Sequence, residues 1–194
     1  MTPDQARALL EASGAMLSGH FVLTSGRHSD TYVEKARVFE DPQLTMRLAG
    51  ELARAHPGTA AVVSPAVGAI PLGFAVAHVA GARFLFAERE DGRMALRRGF
   101  ELNPGEPTLV VEDVITTGGS AAEVAELVRA AGARLLGVAA LVDRSLSPPP
   151  FELTAVLRVE ARSWDPPDCP LCAEGRPFTE RGSRHLQTGD SATL

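Results

Sequence analysis

Four near-continuous apolar runs, residues 60–64, 83–87, 107–114 and 135–142, constrain the fold more than any other feature of the chain. A strand with one wet face alternates apolar and polar residues. These runs do not alternate, so each is predicted as a strand covered on both faces. Helical stretches separate them, at about 2–13, 41–56, 70–80 and 120–131. Thr2-Pro3-Asp4 and Asp41-Pro42 each set a capping side chain before a proline, which starts a helix. Gly14, Pro57-Gly58 and Gly132 follow the expected ends. A last strand is predicted over 151–159. Strands alternating with helices indicate an α/β fold, with a mainly parallel sheet flanked by helices. The chain has 194 residues, 45% of them hydrophobic, enough for one compact domain over about 1–165.

Composition narrows the partners. No apolar run approaches the ~20 residues that span a membrane. Met1-Thr2-Pro3-Asp4 has no basic region leading into an apolar one, so no signal peptide is predicted and a cytoplasmic location is expected. A net charge of -5, with one Trp and one Tyr, argues against a nucleic-acid binder. Lys35 is the only lysine in the chain. A cationic side chain that holds an anion must therefore be an arginine, a histidine or Lys35. Arginine suits the task because its planar fork can hold two oxygens.

The run at 107–114 ends in chemistry. Val110-Val111-Glu112-Asp113-Val114-Ile115-Thr116-Thr117-Gly118-Gly119-Ser120 carries adjacent carboxylates out of an apolar strand and into a loop short of side chains. Burying two neighbouring carboxylates in a core would be costly, so a cleft is expected beside them. Ligands of open parallel sheets bind at the carboxyl ends of the strands. Successive strand residues point to opposite faces, so Glu112 and Asp113 should have different tasks. The loop offers backbone N–H groups, hydroxyls and a helix N-terminus, a cradle of phosphate size. It lacks the G-x-x-x-x-G-K-[ST] pattern of a Walker A loop. Carboxylates for hydroxyls beside a phosphate cradle suit a phosphorylated sugar. A plain strand-to-helix turn capped by Ser120 is the alternative.

The stretch at 110–120 resembles the phosphoribosyl-diphosphate (PRPP) signature of type I phosphoribosyltransferases. Phe21-Val22-Leu23-Thr24-Ser25-Gly26-Arg27-His28-Ser29-Asp30, Ser64-Pro65-Ala66-Val67-Gly68-Ala69-Ile70-Pro71 and Leu141-Val142-Asp143-Arg144 narrow the resemblance to orotate phosphoribosyltransferases. They fall in family order and cover most of residues 15–145. The resemblance implies a type I phosphoribosyltransferase fold, with a small N-terminal hood at about 1–40 and a mobile lid loop at 88–98. It implies transfer of the phosphoribosyl group from PRPP to orotate, giving orotidine 5′-monophosphate and diphosphate in pyrimidine synthesis. It also implies Mg²⁺ carried on PRPP, and a homodimer whose lid serves the neighbouring site. Glu112 and Asp113 would hold the ribose hydroxyls. The segment Val114, Ile115, Thr116, Thr117, Gly118, Gly119 and Ser120 would hold the 5′-phosphate, and Ala66, Val67 and Gly68 the diphosphate. Thr116, Arg144, Ser25, Gly26, Arg27 and His28 would contact orotate. Arg89 and Arg93 would reach PRPP from the lid, with Arg93 as the catalytic cation beside Glu112 and Asp113.

The chain departs from the family pattern at three places. Many members carry lysine where His28 stands, a second lysine near Val67-Gly68, and a third in the lid. Arg93 is the candidate substitute for the last. Arg89, Arg93, Arg97 and Arg98 lie within ten residues, which reads either as a lid closing on the diphosphate or as a solvated charged hairpin. Two functions of other kinds compete: a phosphoribosyltransferase for a purine base, and a non-catalytic regulator that senses PRPP.

Residues 166–194 form a polar C-terminal extension that holds Cys169-Pro170-Leu171-Cys172. From about Gly175 it reads as an ordered extension or a frayed tail. The CxxC is most simply a reduced structural pair. A structural zinc needs about four ligands, and only His185 lies nearby in sequence as a third. A redox CxxC normally opens a helix in a thioredoxin-like pattern, which is absent here.

Overall fold

The computed structural model describes residues 1–23, 25–160 and 162–179. The chain runs α1 (Pro3–Ala12), β1 (Met16–Val22), β2 (His28–Val33), α2 (Ala36–Phe39), α3 (Pro42–Ala55), β3 (Ala61–Pro65) and α4 (Ile70–Ala80). It continues with β4 (Arg83–Glu90), β5 (Arg93–Leu96), β6 (Pro107–Ile115), α5 (Gly119–Ala130), β7 (Arg134–Asp143) and β8 (Leu153–Arg158). Last come β9 (Ser163–Trp164), a 3₁₀ turn at Pro166–Asp168 and α6 (Pro170–Ala173). The helix starts follow their caps. Thr2 and Gln5 form a reciprocal capping box on α1, and Asp41 accepts from Gln43 N and Leu44 N on α3.

The chain divides into two compact units. The larger holds Met1–Ala15 and Lys35–Glu160. Its sheet has the order β5-β4-β3-β6-β7-β8, parallel throughout except for β4 against β5. Val63, Val110, Val138 and Ala140 pack with Val124 and Val128 of α5 on one face. Val62, Leu109 and Val111, of opposite parity, face the other way. There α4 packs so closely that a Cβ on Gly73 would collide with Ser64 and Phe84. Each buried valine contributes roughly 1.5–3 kcal/mol by leaving water. Coverage of both faces is the reason the middles of these strands are apolar without alternation.

The smaller unit holds Met16–Glu34 together with the C-terminal segment. Its sheet, β1-β2-β9, is antiparallel. The units cut across the expected boundaries. Helix α1 packs on β8 through the larger unit's core, with Ala6 and Leu10 fully buried, so it does not group with the 16–34 strands. Residues beyond 161 are not merely appended, because β9 pairs with β2 at His28↔Trp164 and Ser29↔Ser163. Residues 180–194, including His185, lie outside the described residues.

Segment 88–98, expected as a mobile loop, forms most of an antiparallel hairpin. Its register is Ala87↔Leu96, Glu88↔Ala95, Arg89↔Met94 and Glu90↔Arg93. Asp91 (φ 48) and Gly92 (φ 82) make the two-residue turn that matches strand twist. Among the described residues no helix is long and apolar enough to cross a membrane.

Candidate active site

The end of β6 sets the acidic pair in two environments. Asp113 is 5% exposed, and its carboxylate accepts from Lys35 Nζ through Oδ2 and from Val114 N at 2.6 Å through Oδ1. Glu112 is half-buried, and its Oε1 accepts from Asp113 N at 3.0 Å. Burial first, and the Asp113 charge second, push the Glu112 carboxyl up to about 8, with Lys35 pulling the other way. Glu112 therefore holds a proton at neutral pH while Asp113 and Lys35 form an ion pair. The two neighbouring acids thus stand in different surroundings, Asp113 on Lys35 and Glu112, among the described residues, without a cation of its own.

The Ala66–Gly68 loop lies against this ion pair. A Cβ on Gly68 would overlap both Asp113 Oδ2 and Lys35 Nζ, so a side chain there would displace the ion pair. The loop leaves β3 with Ala66 N donating to Ala87 O at 2.7 Å and returns into α4 with Ile70 N donating to Val67 O. Val67 stands 79% exposed at its tip.

Beyond β6 the chain turns through Thr116 and Thr117, both exposed, into α5. Gly118 takes a left-handed φ of 76° as the residue before the helix. A Cβ there would lie 3.0 Å from the Phe151 ring. Gly119 N faces Thr117 Oγ1 at 3.5 Å, and no side chain caps α5. Its first N–H groups are thus directed at the loop, which suits an anion. Arg144 stands beside this end of the sheet, its backbone N–H donating to Ile115 O at 2.8 Å.

The larger unit therefore gathers Ala66–Gly68, Glu112–Ser120 and Arg144 at the carboxyl ends of adjacent strands. It adds Lys35, which the sequence reading did not place in the site. Its signal was its singularity as the only lysine. The arginines at 88–98 are mostly engaged: Arg89 with Glu123, Arg97 with Glu90 and Arg98 with Glu88. Arg89 ties the hairpin to α5 one turn from Gly119. Arg93 is exposed and makes no ion pair among the described residues.

The expected orotate segment belongs to the smaller unit. Gly26 (φ 80) turns the hairpin between β1 and β2, and Ser25 is exposed. Arg27 is held on β9, donating to Ser163 O at 2.7 Å, to Ser163 Oγ at 3.2 Å and to Asp165 Oδ1 at 2.8 Å. His28 requires a correction. It was expected to offer its ring to orotate, but it is 6% exposed, and its Nδ1 lies 3.2 Å from both His20 Nε2 and Cys172 Sγ. The ring's polar edge is committed inside its own unit.

No family model matches the chain. An orotate phosphoribosyltransferase of Aeropyrum pernix superposes with a TM-score of 0.65 at 27% identity, over 80% of this chain and 93% of that one. The Mycobacterium tuberculosis orotate phosphoribosyltransferase gives 0.60 at 27%, over 81% and 96%. An adenine phosphoribosyltransferase of Thermoanaerobacter pseudethanolicus, at 17% identity and a TM-score of 0.55 over 66% and 88%, shares the fold. Fold and site together define a phosphoribosyltransferase of type I. Curated orotate phosphoribosyltransferases of Desulforamulus reducens and Chlorobaculum parvum are 47% and 48% identical, over 96% and 97% of this chain and the whole of each relative. The chain belongs to the orotate phosphoribosyltransferase family.

Proposed function

We propose that this enzyme transfers the 5-phosphoribosyl group from PRPP to orotate, forming orotidine 5′-monophosphate and diphosphate. One observation carries the reading: the Glu112–Asp113 pair leads directly into the uncapped N-terminus of α5, with Gly68 against Asp113. Full-length relatives bearing the name orotate phosphoribosyltransferase support orotate over a purine base.

Displacement at the ribosyl carbon beside the ring oxygen passes through an oxocarbenium-like state. Orotate is already an anion, so the harder task is to accept charge on the departing diphosphate. The Glu112 carboxyl and the Asp113 carboxylate fix the sugar through its hydroxyls, and the loop from Thr116 to Ser120 fixes its 5′-phosphate. Lys35, leaning on Asp113 beside Gly68, is a cation against the diphosphate loop. Carboxylate oxygens are suitable hard donors for Mg²⁺, so Asp113 fits a substrate-borne Mg²⁺, which would neutralise diphosphate charge. Arg144, at the end of β7, contributes to holding orotate. We read the enzyme as a cytoplasmic homodimer in which the 88–98 hairpin supplies Arg93 to the neighbouring site. The exposure of Arg93, amid arginines already paired, supports this.

The test follows orotate absorbance in the ultraviolet with PRPP and Mg²⁺, beside uracil, adenine and hypoxanthine. Orotate alone should be consumed, with orotidine 5′-monophosphate identified by mass. Consumption of a purine in its place would overturn the reading, as would PRPP binding without turnover of any base.

A further inference from the structure

The smaller unit holds a cluster that phosphoribosyl transfer does not use. His20 of β1, His28 of β2, and Cys169 and Cys172 around the start of α6 converge, with one ligand atom of each inside a 4.8 Å span. His20 Nε2 lies 3.2 Å from His28 Nδ1, 3.5 Å from Cys169 Sγ and 3.7 Å from Cys172 Sγ. Cys172 Sγ lies 3.2 Å from His28 Nδ1. Around a tetrahedral zinc, bond lengths of about 2.0–2.1 Å to nitrogen and about 2.3 Å to sulfur set the edges near 3.3 Å between nitrogens and 3.6 Å between nitrogen and sulfur. The three distances from His20 Nε2 lie within about 0.1 Å of those edges, and the Cys172–His28 distance of 3.2 Å is shorter by about 0.4 Å.

Local structure prepares each ligand. His20 Nδ1 lies 2.9 Å from Arg176 O, and a carbonyl can only accept, so Nδ1 carries the hydrogen. The lone pair of Nε2 is thereby turned toward His28 and both sulfurs, an arrangement typical of zinc-binding histidines. The β1–β2 register shifts between Ser18 and Phe21, a bulge that contains His20 and re-aims its side chain. Ala173 N donates to Cys169 O at 3.2 Å, curling Cys-Pro-Leu-Cys into a tight turn. His20, His28 and Cys169 are 2%, 6% and 2% exposed, and Phe178 covers both imidazoles with ring centroids 4.3 and 5.0 Å away. The cysteines are not joined to each other.

We propose that His20 Nε2, His28 Nδ1 and the thiolates of Cys169 and Cys172 bind one structural Zn²⁺. Two thiolates neutralise the ion, so the site, buried except at Cys172, carries no net charge, and binding releases the two thiol protons. A closed set of two sulfurs and two nitrogens selects zinc and leaves no position for substrate. Its work is mechanical. Among the described residues Phe21, Val33 and Leu171 are the large apolar side chains buried in this unit, and a core so small needs a staple. The ion would clamp β1 and β2 to residues nearly 150 positions later.

The experiment uses the full chain, purified reduced and without chelator. Elemental analysis and native mass should find about one zinc per chain after gel filtration. Replacement by Co²⁺ should give the intense visible bands of tetrahedral cobalt with sulfur-to-metal charge transfer. Cys172→Ser and His20→Ala should lose the stoichiometric metal, and chelation should lower the melting temperature of the wild type. A reduced wild-type chain that holds no stoichiometric zinc after incubation with excess zinc sinks the proposal. So does an octahedral cobalt spectrum, or a Cys169–Cys172 disulfide in the freshly isolated chain. The zinc content and cobalt spectrum are read on the wild type, so neither depends on a variant folding or on the identity of the accepted base.

Discussion

Lys35 Nζ donates to Asp113 Oδ2 across 78 residues of sequence, placing the chain's only lysine on the acid at the end of β6. Lys35 is partly exposed and Asp113 nearly buried, so the pair is anchored on the acid and open on the cation. A PRPP molecule entering over Gly68 would meet that cation first. Lys35→Ala should therefore lower kcat/KM for PRPP by about 10- to 100-fold, the scale of one hydrogen bond to a charged group at roughly 1.5–3 kcal/mol. Lys35→Arg should recover part of it. Unchanged PRPP kinetics in a folded Lys35→Ala enzyme would remove Lys35 from the site.

Glu112 gives the ligand-free protein a distinct dependence on pH. Its folded carboxyl is raised from 4.5 to about 8, so between those values the folded state binds the extra proton. Stability must then fall as pH rises. The contribution is complete below 4.5 and is lost as pH passes through about 8. Glu112→Gln mimics the protonated form and should flatten that part of the curve, melting higher than the wild type above pH 8. Thermal melts of both proteins across this window decide it, and parallel curves would mean that Glu112 is ionised throughout.

Much of this was legible in the chain, for a physical reason. Apolar runs covered on both faces do not depend on distant partners to be recognised, and the Thr2 and Asp41 caps are local. The acidic pair before Thr116–Ser120 is local too. The zinc-type cluster was not legible, because its two halves lie far apart and only strand pairing joins them. His28 was misjudged for the same reason: its neighbours His20 and Cys172 are set by a bulge and a turn, not by the adjacent Arg27. Segment 88–98 read as a lid or as a charged hairpin, and the hairpin, which Asp91-Gly92 marks, is what forms. Lys35 showed no motif, only that no other lysine exists.

Gly118 joins the phosphate loop to the fold twice over, by its φ of 76° and by its approach to Phe151. A side chain costs roughly 1–2 kcal/mol in the left-handed region. Gly118→Ala must also push Phe151, with a Cβ 3.0 Å from its ring. The variant should melt several degrees lower, and its KM for PRPP should rise more than its KM for orotate. Gly132→Ala is the control, since Gly132 also takes a left-handed φ (74°) but lies at the far end of α5. Equal rises in both KM values for Gly118→Ala would mean that the turn supports the sheet and does not hold the phosphate.

Arg93 and Asp113 belong to one polypeptide, yet the homodimer reading assigns them to different sites. If the hairpin serves its neighbour, Arg93→Ala and Asp113→Asn damage opposite halves of each composite site. A mixed dimer then has one site with both lesions and one with neither. Random exchange of two variants by two-fold pairing makes about half of the dimers mixed, so about a quarter of all sites should recover. The two variants, each first shown to be nearly inactive alone, are unfolded together, refolded and assayed for orotate consumption. Recovery near a quarter of wild-type activity is the expected result. Absence of recovery, with mixed dimers confirmed by mass, would mean that each hairpin closes over its own chain's site. Arg93→Ala that keeps most of its activity would show Arg89 or Arg97 able to take over the contact, despite their present pairing with Glu123 and Glu90.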